Sequence, residues 1–171
     1  MSMDEYIRNN LNDNEKISYI AHPHWIVFMP GFAIFLLACI ILSVSIPIIE
    51  TMPHKIMGGI IMLVSFGHLI RALIYYVSTE MGVTDQRVIG KYGLISRHTV
   101  EISHGRIESV NVSQSVPGRL IGFLRLPEYG TVVIRGIGGT PIHIPNISNP
   151  LAFRQAHSRA KYRYALKDAD R

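Results

Sequence analysis

One cysteine, Cys39, is too few for an intrachain disulfide, so an oxidised framework is excluded. Charge is also scarce: 17% of the 171 residues are charged, against roughly 25% in an average soluble domain. The chain holds no G-x-S-x-G, no H-E-x-x-H and no cysteine cluster, which leaves the common hydrolase and zinc-protease sites without their residues. Gly136–Gly139 lacks a following Lys-Ser/Thr, so it reads as a hairpin turn and not as a phosphate-binding loop. The eight histidines are scattered without ligand spacing, and nothing in the sequence asks for a metal or cofactor. His22 and His24 flank Pro23 without a further ligand cluster, and read as polar residues at a membrane interface beside Trp25.

What the chain does have is apolar length. Trp25 to Ile49 runs for 25 residues without a charge, and a helix needs about 20 apolar residues to cross a bilayer. A second run begins at Ile56, meets His68 and Arg71, and continues to about residue 77. The reading is a transmembrane hairpin over 25–78, with helices at about 25–49 and 56–77 and a tight connection at Glu50–Lys55. Trp25, Arg71, Tyr75 and Tyr76 are expected at the membrane interface, with Arg71 snorkelling towards the headgroups. His68 and Arg71 share a helix face, so an intramembrane ion or proton site is the remote alternative. Positive residues orient the hairpin. Its loop holds Lys55, the preceding segment holds Arg8 and Lys16, and the other fourteen lie at Arg71 or beyond. Both termini are therefore expected in the cytoplasm. The acidic flank before Trp25 and the length of the run argue against a cleaved signal peptide.

Residues 1–24 read as an interfacial segment. Tyr6, Ile7 and Leu11 have the spacing of a short amphipathic helix, and Lys16–Ile20 reads as a strand or an extended entry to the membrane. After Ser78 the texture turns to short alternating runs cut by Gly, Asn and Pro. Strands are expected around Met81–Val83, Arg87–Tyr92, 97–103, Arg106–Ser113, Thr131–Arg135 and Pro141–Ile144. Ile107 is out of phase with Val110 and Val112, which indicates a bulge near Glu108-Ser109. A closing helix spans about 149–166, with Asn149 as N-cap and Pro150 at its first position. Phe153, Ala156, Ala160 and Tyr164 form its apolar stripe, with Arg154, His157, Lys161 and Arg163 on other faces. Six strands and one helix in 79–171 suggest a strongly bent sheet or a small barrel.

The runs TDQRVI (84–89), KYGLISR (91–97), VEISHGRIESVNVSQS (100–115), GRLIGF (118–123) and GTVVI (130–134) together resemble the bacterial pleckstrin-homology (PH)-like membrane proteins. The opening Tyr6-Ile7, Leu11–Ile17 and His24-Trp25 are similar to that family's leader, so the resemblance covers nearly the whole chain. It implies a membrane-anchored α+β protein of the bacterial inner membrane: a two-helix transmembrane hairpin, then a PH-like antiparallel β-barrel capped by a C-terminal helix. It implies no settled activity, since a fold does not fix a function. LRLPEY (124–129) is inserted where the family runs directly into Gly130-Thr131, and this insertion is where a seventh strand is expected.

No constellation fits catalysis. The basic residues are the most suggestive feature, with 13 Lys+Arg against 7 Asp+Glu in 79–171. They point to anionic phospholipid headgroups, through Arg87, Lys91, Arg97, Arg119 and Arg125, and through Arg154, Lys161 and Arg163 on the helix. The plain alternative is that these charges set topology and solubility. The alternative function is a protein-interaction or assembly module, using exposed sheet edges, self-association or a membrane protein partner. Gly58-Gly59 would then allow close helix packing. Nucleic acid is not an expected partner, because no binding motif accompanies the charge.

Overall fold

Runs of alternating side chains on both sides of the apolar helices meet in one folded unit. The computed structural model describes residues 5–43, 52–93, 98–115 and 127–169. Met1–His24 and Val77–Arg171 form one compact unit, and Trp25–Tyr76 forms another. The chain thus enters the first unit, leaves for the helices and returns. Residues 1–24, read from sequence as a separate interfacial segment, belong with the strands that follow the helices.

In the first unit, a short helix α1 (Glu5–Asn9) leads to strand β1 (Ile17–Ala21). Beyond the apolar helices come β2 (Glu80–Thr84), β3 (Arg87–Tyr92), β4 (His98–Ser103), β5 (Ile107–Ser113), β6 (Tyr129–Gly136) and β7 (Ile142–Ser148). Helix α4 (Pro150–Ala169) closes the chain. All pairings are antiparallel and give two sheets, β1-β2-β3-β4 and β5-β6-β7. The 3-10 turn His104–Arg106 redirects the chain from one sheet to the other, and a register shift between Ile107 and Ser109 marks the expected bulge.

The expected closed barrel is not what the hydrogen bonds define among the described residues. Two sheets meet at one corner, where Pro23 bridges Ile147, the Ser148 N–H donates to the His22 carbonyl and the His24 N–H donates to the Asn146 carbonyl. Among the described residues the seventh strand is β1, contributed from before the helices where Lys16–Ile20 reads as a strand. Pro127 and Glu128 lie outside any strand, and residues 124–126 lie outside the described residues.

The core lies between the sheets and α4. Met81, Val83, Val88, Ile107, Val132, Ile134, Ile144, Ile147 and Phe153 form its centre. Yet all five residues of β2 are buried, so its outer face must be covered as well. With a period of two, Glu80, Gly82 and Thr84 point away from Met81 and Val83. Register places Gly82 opposite Ile89 and Glu80 opposite Lys91. The N-terminal segment covers this strip. Ile7 is fully buried over Gly82, where a Cβ would lie 3.1 Å from its Cδ1. The amphipathic helix foreseen for a membrane surface therefore packs on the sheet.

Helix α4 begins as foreseen at Pro150, and the Asn149 carbonyl accepts from the Ala152 and Phe153 N–H groups. Its buried stripe is rotated from the expected one. Phe153, His157 and Ala160 are buried, while Ala156 and Tyr164 are only half-buried. His157 had been placed on a polar face. It instead packs on His104, with ring centroids 5.1 Å apart.

The second unit starts with the 3-10 turn Trp25–Phe28 and continues as α2 (Met29–Ser43), followed by α3 (Met52–Ser78). Helix α3 starts before the expected residue 56, so Pro53 falls in its first turn, where a proline costs no hydrogen bond. Residues 44–51 lie outside the described residues. The two helices pack antiparallel through small residues. A Cβ on Gly31 would meet Leu69 Cδ2 at 2.7 Å, and one on Gly58 would meet Leu42 Cδ2 at 2.6 Å. The Ser65 hydroxyl donates to the Gly31 carbonyl at 2.9 Å. Gly59 faces open space. Elsewhere the helices present large apolar side chains outward, including Phe32, Leu36, Ile40, Ile60, Leu63 and Phe66.

Candidate functional site

The basic residues expected to act together are divided among different tasks. Arg87, on the outer face of β3, grips the N-terminal segment. Its Nε and Nη2 donate to the two Glu15 carboxylate oxygens at 3.1 Å each, Nη2 also donates to the Asn10 carbonyl, and Nη1 donates to Glu101 Oε2 at 2.7 Å. Glu15 further accepts from the Thr84 hydroxyl at 2.6 Å and the Asn12 N–H at 2.8 Å. Burial alone would raise the Glu15 carboxyl, but the hydrogen bonds from Arg87, Thr84 and Asn12 outweigh it and hold the group below the usual carboxylate range. Four residues along the strand and on the same face, Lys91 pairs with buried Glu80 at 3.3 Å and lies over the Tyr6 ring. Arg87 and Lys91 are thus fasteners between α1 and the sheet. Arg97, Arg119 and Arg125 lie outside the described residues.

The three helix candidates sit on two flanks of α4. Arg154 and Lys161 border a groove of about 440 Å³ against β5, where the Lys161 ammonium donates to the Ile107 carbonyl at 2.8 Å. Arg163 lies on the other flank, facing β1, where it donates to the Ser18 hydroxyl at 3.2 Å. A groove of about 510 Å³ runs there between β1 and α4. Lys16, Arg159 and Lys167 join Arg163 around it, and all four are exposed. Among the described residues none of these four is ion-paired. Asp85, the one acid among the described residues lining the groove, uses its carboxylate to accept from the Lys16 N–H at 2.9 Å. Lys16, Arg159 and Lys167 were missed from sequence, although the spacing 159, 163, 167 is legible as one row on a helix.

The groove's place within its unit follows from the strand register. Ile17 pairs with Thr84 at one end of β1 and β2, and Ala21 pairs with Met81 at the other. The chain leaves and re-enters the unit at the Ala21–Met81 end. Lys16 and Asp85 lie at the opposite end. Lys16 is eight residues before His24, about 25 Å of extended chain. Helix α4 spans the same interval. Pro150 starts beside Ser148, which bonds to His22, and Lys167 is near the finish. Arg154 therefore sits towards the exit end, and the row of Arg159, Arg163 and Lys167 towards the far end.

Behind the groove lie two buried imidazoles. His104 Nε2 bonds to the Thr84 carbonyl at 2.9 Å, and Tyr164 meets the His104 ring edge-on. Burial lowers both histidines, His157 to about 4, with Lys161 and His104 adding to the depression of His157. Both rings are therefore neutral at pH 7 and act as packing. His24, expected at a membrane interface, is also buried and stacks on Tyr129 with centroids 5.3 Å apart. Among the described residues no group of three or more His, Cys, Asp or Glu could hold a metal ion.

Comparison with known families decides the architecture's identity. A model described as the bacterial PH domain matches residues 26–161. The chain belongs to the bacterial PH domain family. No curated protein and no solved structure gives a significant match. The bacterial PH domain match begins at Ile26, so α1 and β1 fall outside it, although β1 completes the four-stranded sheet. The family suggests a binding module, and no catalytic family is indicated. The four-cation groove borrows Lys16 from the stretch outside the match.

The expected interfacial residues are in the second unit. Trp25 opens its 3-10 turn and is 45% exposed. Tyr76 packs on Phe28, ring centroids 5.6 Å apart, and Tyr75 is half-buried. His68 and Arg71 are both exposed, and α3 continues seven residues past Arg71 to Ser78. Trp25–Ser43 and His54–Ser78 are each long and apolar enough to cross a membrane.

Proposed function

We propose that this bacterial PH domain protein is a membrane-anchored, non-catalytic binding module that captures an anionic partner on the cytoplasmic face of the inner membrane. One observation carries the topology: β1 and β2, on either side of the two apolar helices, pair strand to strand. Paired strands occupy one compartment, so the helices between them cross the bilayer an even number of times. Only about a tenth of either apolar stretch is buried, which is the profile of a lipid-facing helix and not of a soluble core. The positive-inside rule then puts the β unit in the cytoplasm. Single cysteines introduced in a Cys39→Ala background test this. Asn9→Cys and Ser158→Cys should resist a membrane-impermeant maleimide in intact cells, while Lys55→Cys reacts. Labelling of Asn9→Cys or Ser158→Cys from outside overturns the proposal.

A second reading, contact with anionic headgroups of the host bilayer, is favoured by Arg154. It is exposed on the first turns of α4, towards the end where the chain leaves for the apolar helices. Such contact should give the full chain a higher melting temperature in anionic than in neutral nanodiscs, and Arg154→Glu should remove the difference. Equal melting in both lipids sinks this reading.

A further inference from the structure

The ligand class of the groove between β1 and α4 can be named from its geometry. Arg159, Arg163 and Lys167 recur every four residues along one line of α4. Four residues of helix advance about 6 Å. Two residues of an extended chain advance about 6.6 Å, with both side chains on one face. A row of cations at this spacing matches acidic side chains at alternate positions of an extended peptide. A compact anion such as inorganic phosphate could engage only one or two of them.

Three further observations favour a peptide. The groove is bounded by a strand and a helix, with Ile17, Ala156 and Tyr164 supplying apolar surface among the cations. Among the described residues its charge has no ion-pair partner, since Asp85 is held by the Lys16 backbone. It also lies at the end of β1 and β2 opposite the points where the chain leaves for the apolar helices. Four residue steps of β1 put about 13 Å between those ends, so the groove is set away from the exit points within its unit.

We infer that the β1–α4 groove is the docking site for an extended acidic segment of a partner protein, with carboxylates at alternate positions facing Arg159, Arg163 and Lys167, and Lys16 closing one side. This rests on the binding-module reading above and gives it a partner class.

The test uses the full chain in neutral nanodiscs and two fluorescein-labelled peptides of one composition. One has glutamate at every second position between threonine and valine. The other has its glutamates contiguous. The alternating peptide should bind about tenfold more tightly, and charge reversal in Arg163→Glu or Arg159→Glu should each weaken it by about tenfold. Arg154→Glu, on the other flank of α4, should leave it within about twofold. Circular-dichroism melts of each variant confirm that the fold is retained, and Lys167→Glu replaces any variant that fails. Equal affinity for the two peptides, or binding indifferent to reversal at positions 159, 163 and 167, overturns the inference. Competition by anionic vesicles but not by unlabelled alternating peptide overturns it in favour of lipid. None of these outcomes bears on the maleimide result, so the anchored topology stands or falls separately.

Discussion

His157 shows how a residue that reads as polar can be spent on packing. It sits in the core-facing stripe of α4 against His104 and is 5% exposed. Burial first, then His104 and Lys161, lower its pKa to about 4. In the unfolded chain the ring titrates near the ordinary histidine value of 6.5. Between those values the unfolded state binds more protons, so stability is full above pH 6.5 and declines as pH falls towards 4. The contribution is about 3 kcal/mol by linkage. Melting followed by circular dichroism should show the temperature falling across this window. His157→Leu, which removes a buried Nδ1 that lacks a hydrogen-bond partner, should flatten the decline without a large loss at pH 7.5. An unchanged slope in His157→Leu would assign the acid sensitivity elsewhere. The sequence pattern puts His157 just outside the Ala156 stripe, and the structure rotates that stripe so that His157 faces the core.

At the scale of elements, the N-terminal segment is the part that sequence reading set apart and the structure joins. The two apolar helices, the strand runs, the Ile107–Ser109 irregularity and the Pro150 start were legible because periodicity and proline act locally. The docking of α1 was not. Arg87, Ile89 and Lys91 alternate like a solvated strand face, and only Ile7, Glu15 and Tyr6, seventy or more residues away in sequence, convert that face into an interface. The candidate site suffered the same way. A groove shared by β1 and α4 has no local signature, although its row of cations did. A fragment of residues 79–171 lacks β1 and α1, so β2 loses its strand partner and the cover over Gly82, and Arg87 loses Glu15. It should show a weak, uncooperative melt. A chain joining residues 1–24 to 77–171 by a short glycine-serine linker should melt cooperatively, since Ala21 and Met81 are already neighbours. Glu15→Ala in that joined chain should lower its melting temperature markedly. Cooperative folding of 79–171 alone would refute the role given to β1.

Across the whole molecule, the two units divide their surfaces by solvent. Trp25–Tyr76 turns its large apolar side chains outward and keeps Gly31, Ala38, Gly58, Ser65 and Ala72 for helix packing. That pattern suits lipid, where close packing and hydrogen bonds bring helices together. The other unit buries its apolar residues between the sheets and leaves five Lys and Arg side chains exposed along α4. The maleimide labelling belongs to this scale, because it asks where each unit resides.

The pairing of β1 with β2 also has a meaning in time. The ribosome makes β1 first, yet the strand's partner begins 59 residues after Ala21, beyond both apolar helices. At about 5–20 residues per second that interval lasts roughly 3–12 s. Throughout it, Ile7, Glu15 and the edges of β1 wait for the strands that cover them. The sheet can close only after both apolar helices have been made. Completion of the four-stranded sheet thereby reports that the second helix has left the ribosome, and a chain that stops within that helix keeps its first strand exposed.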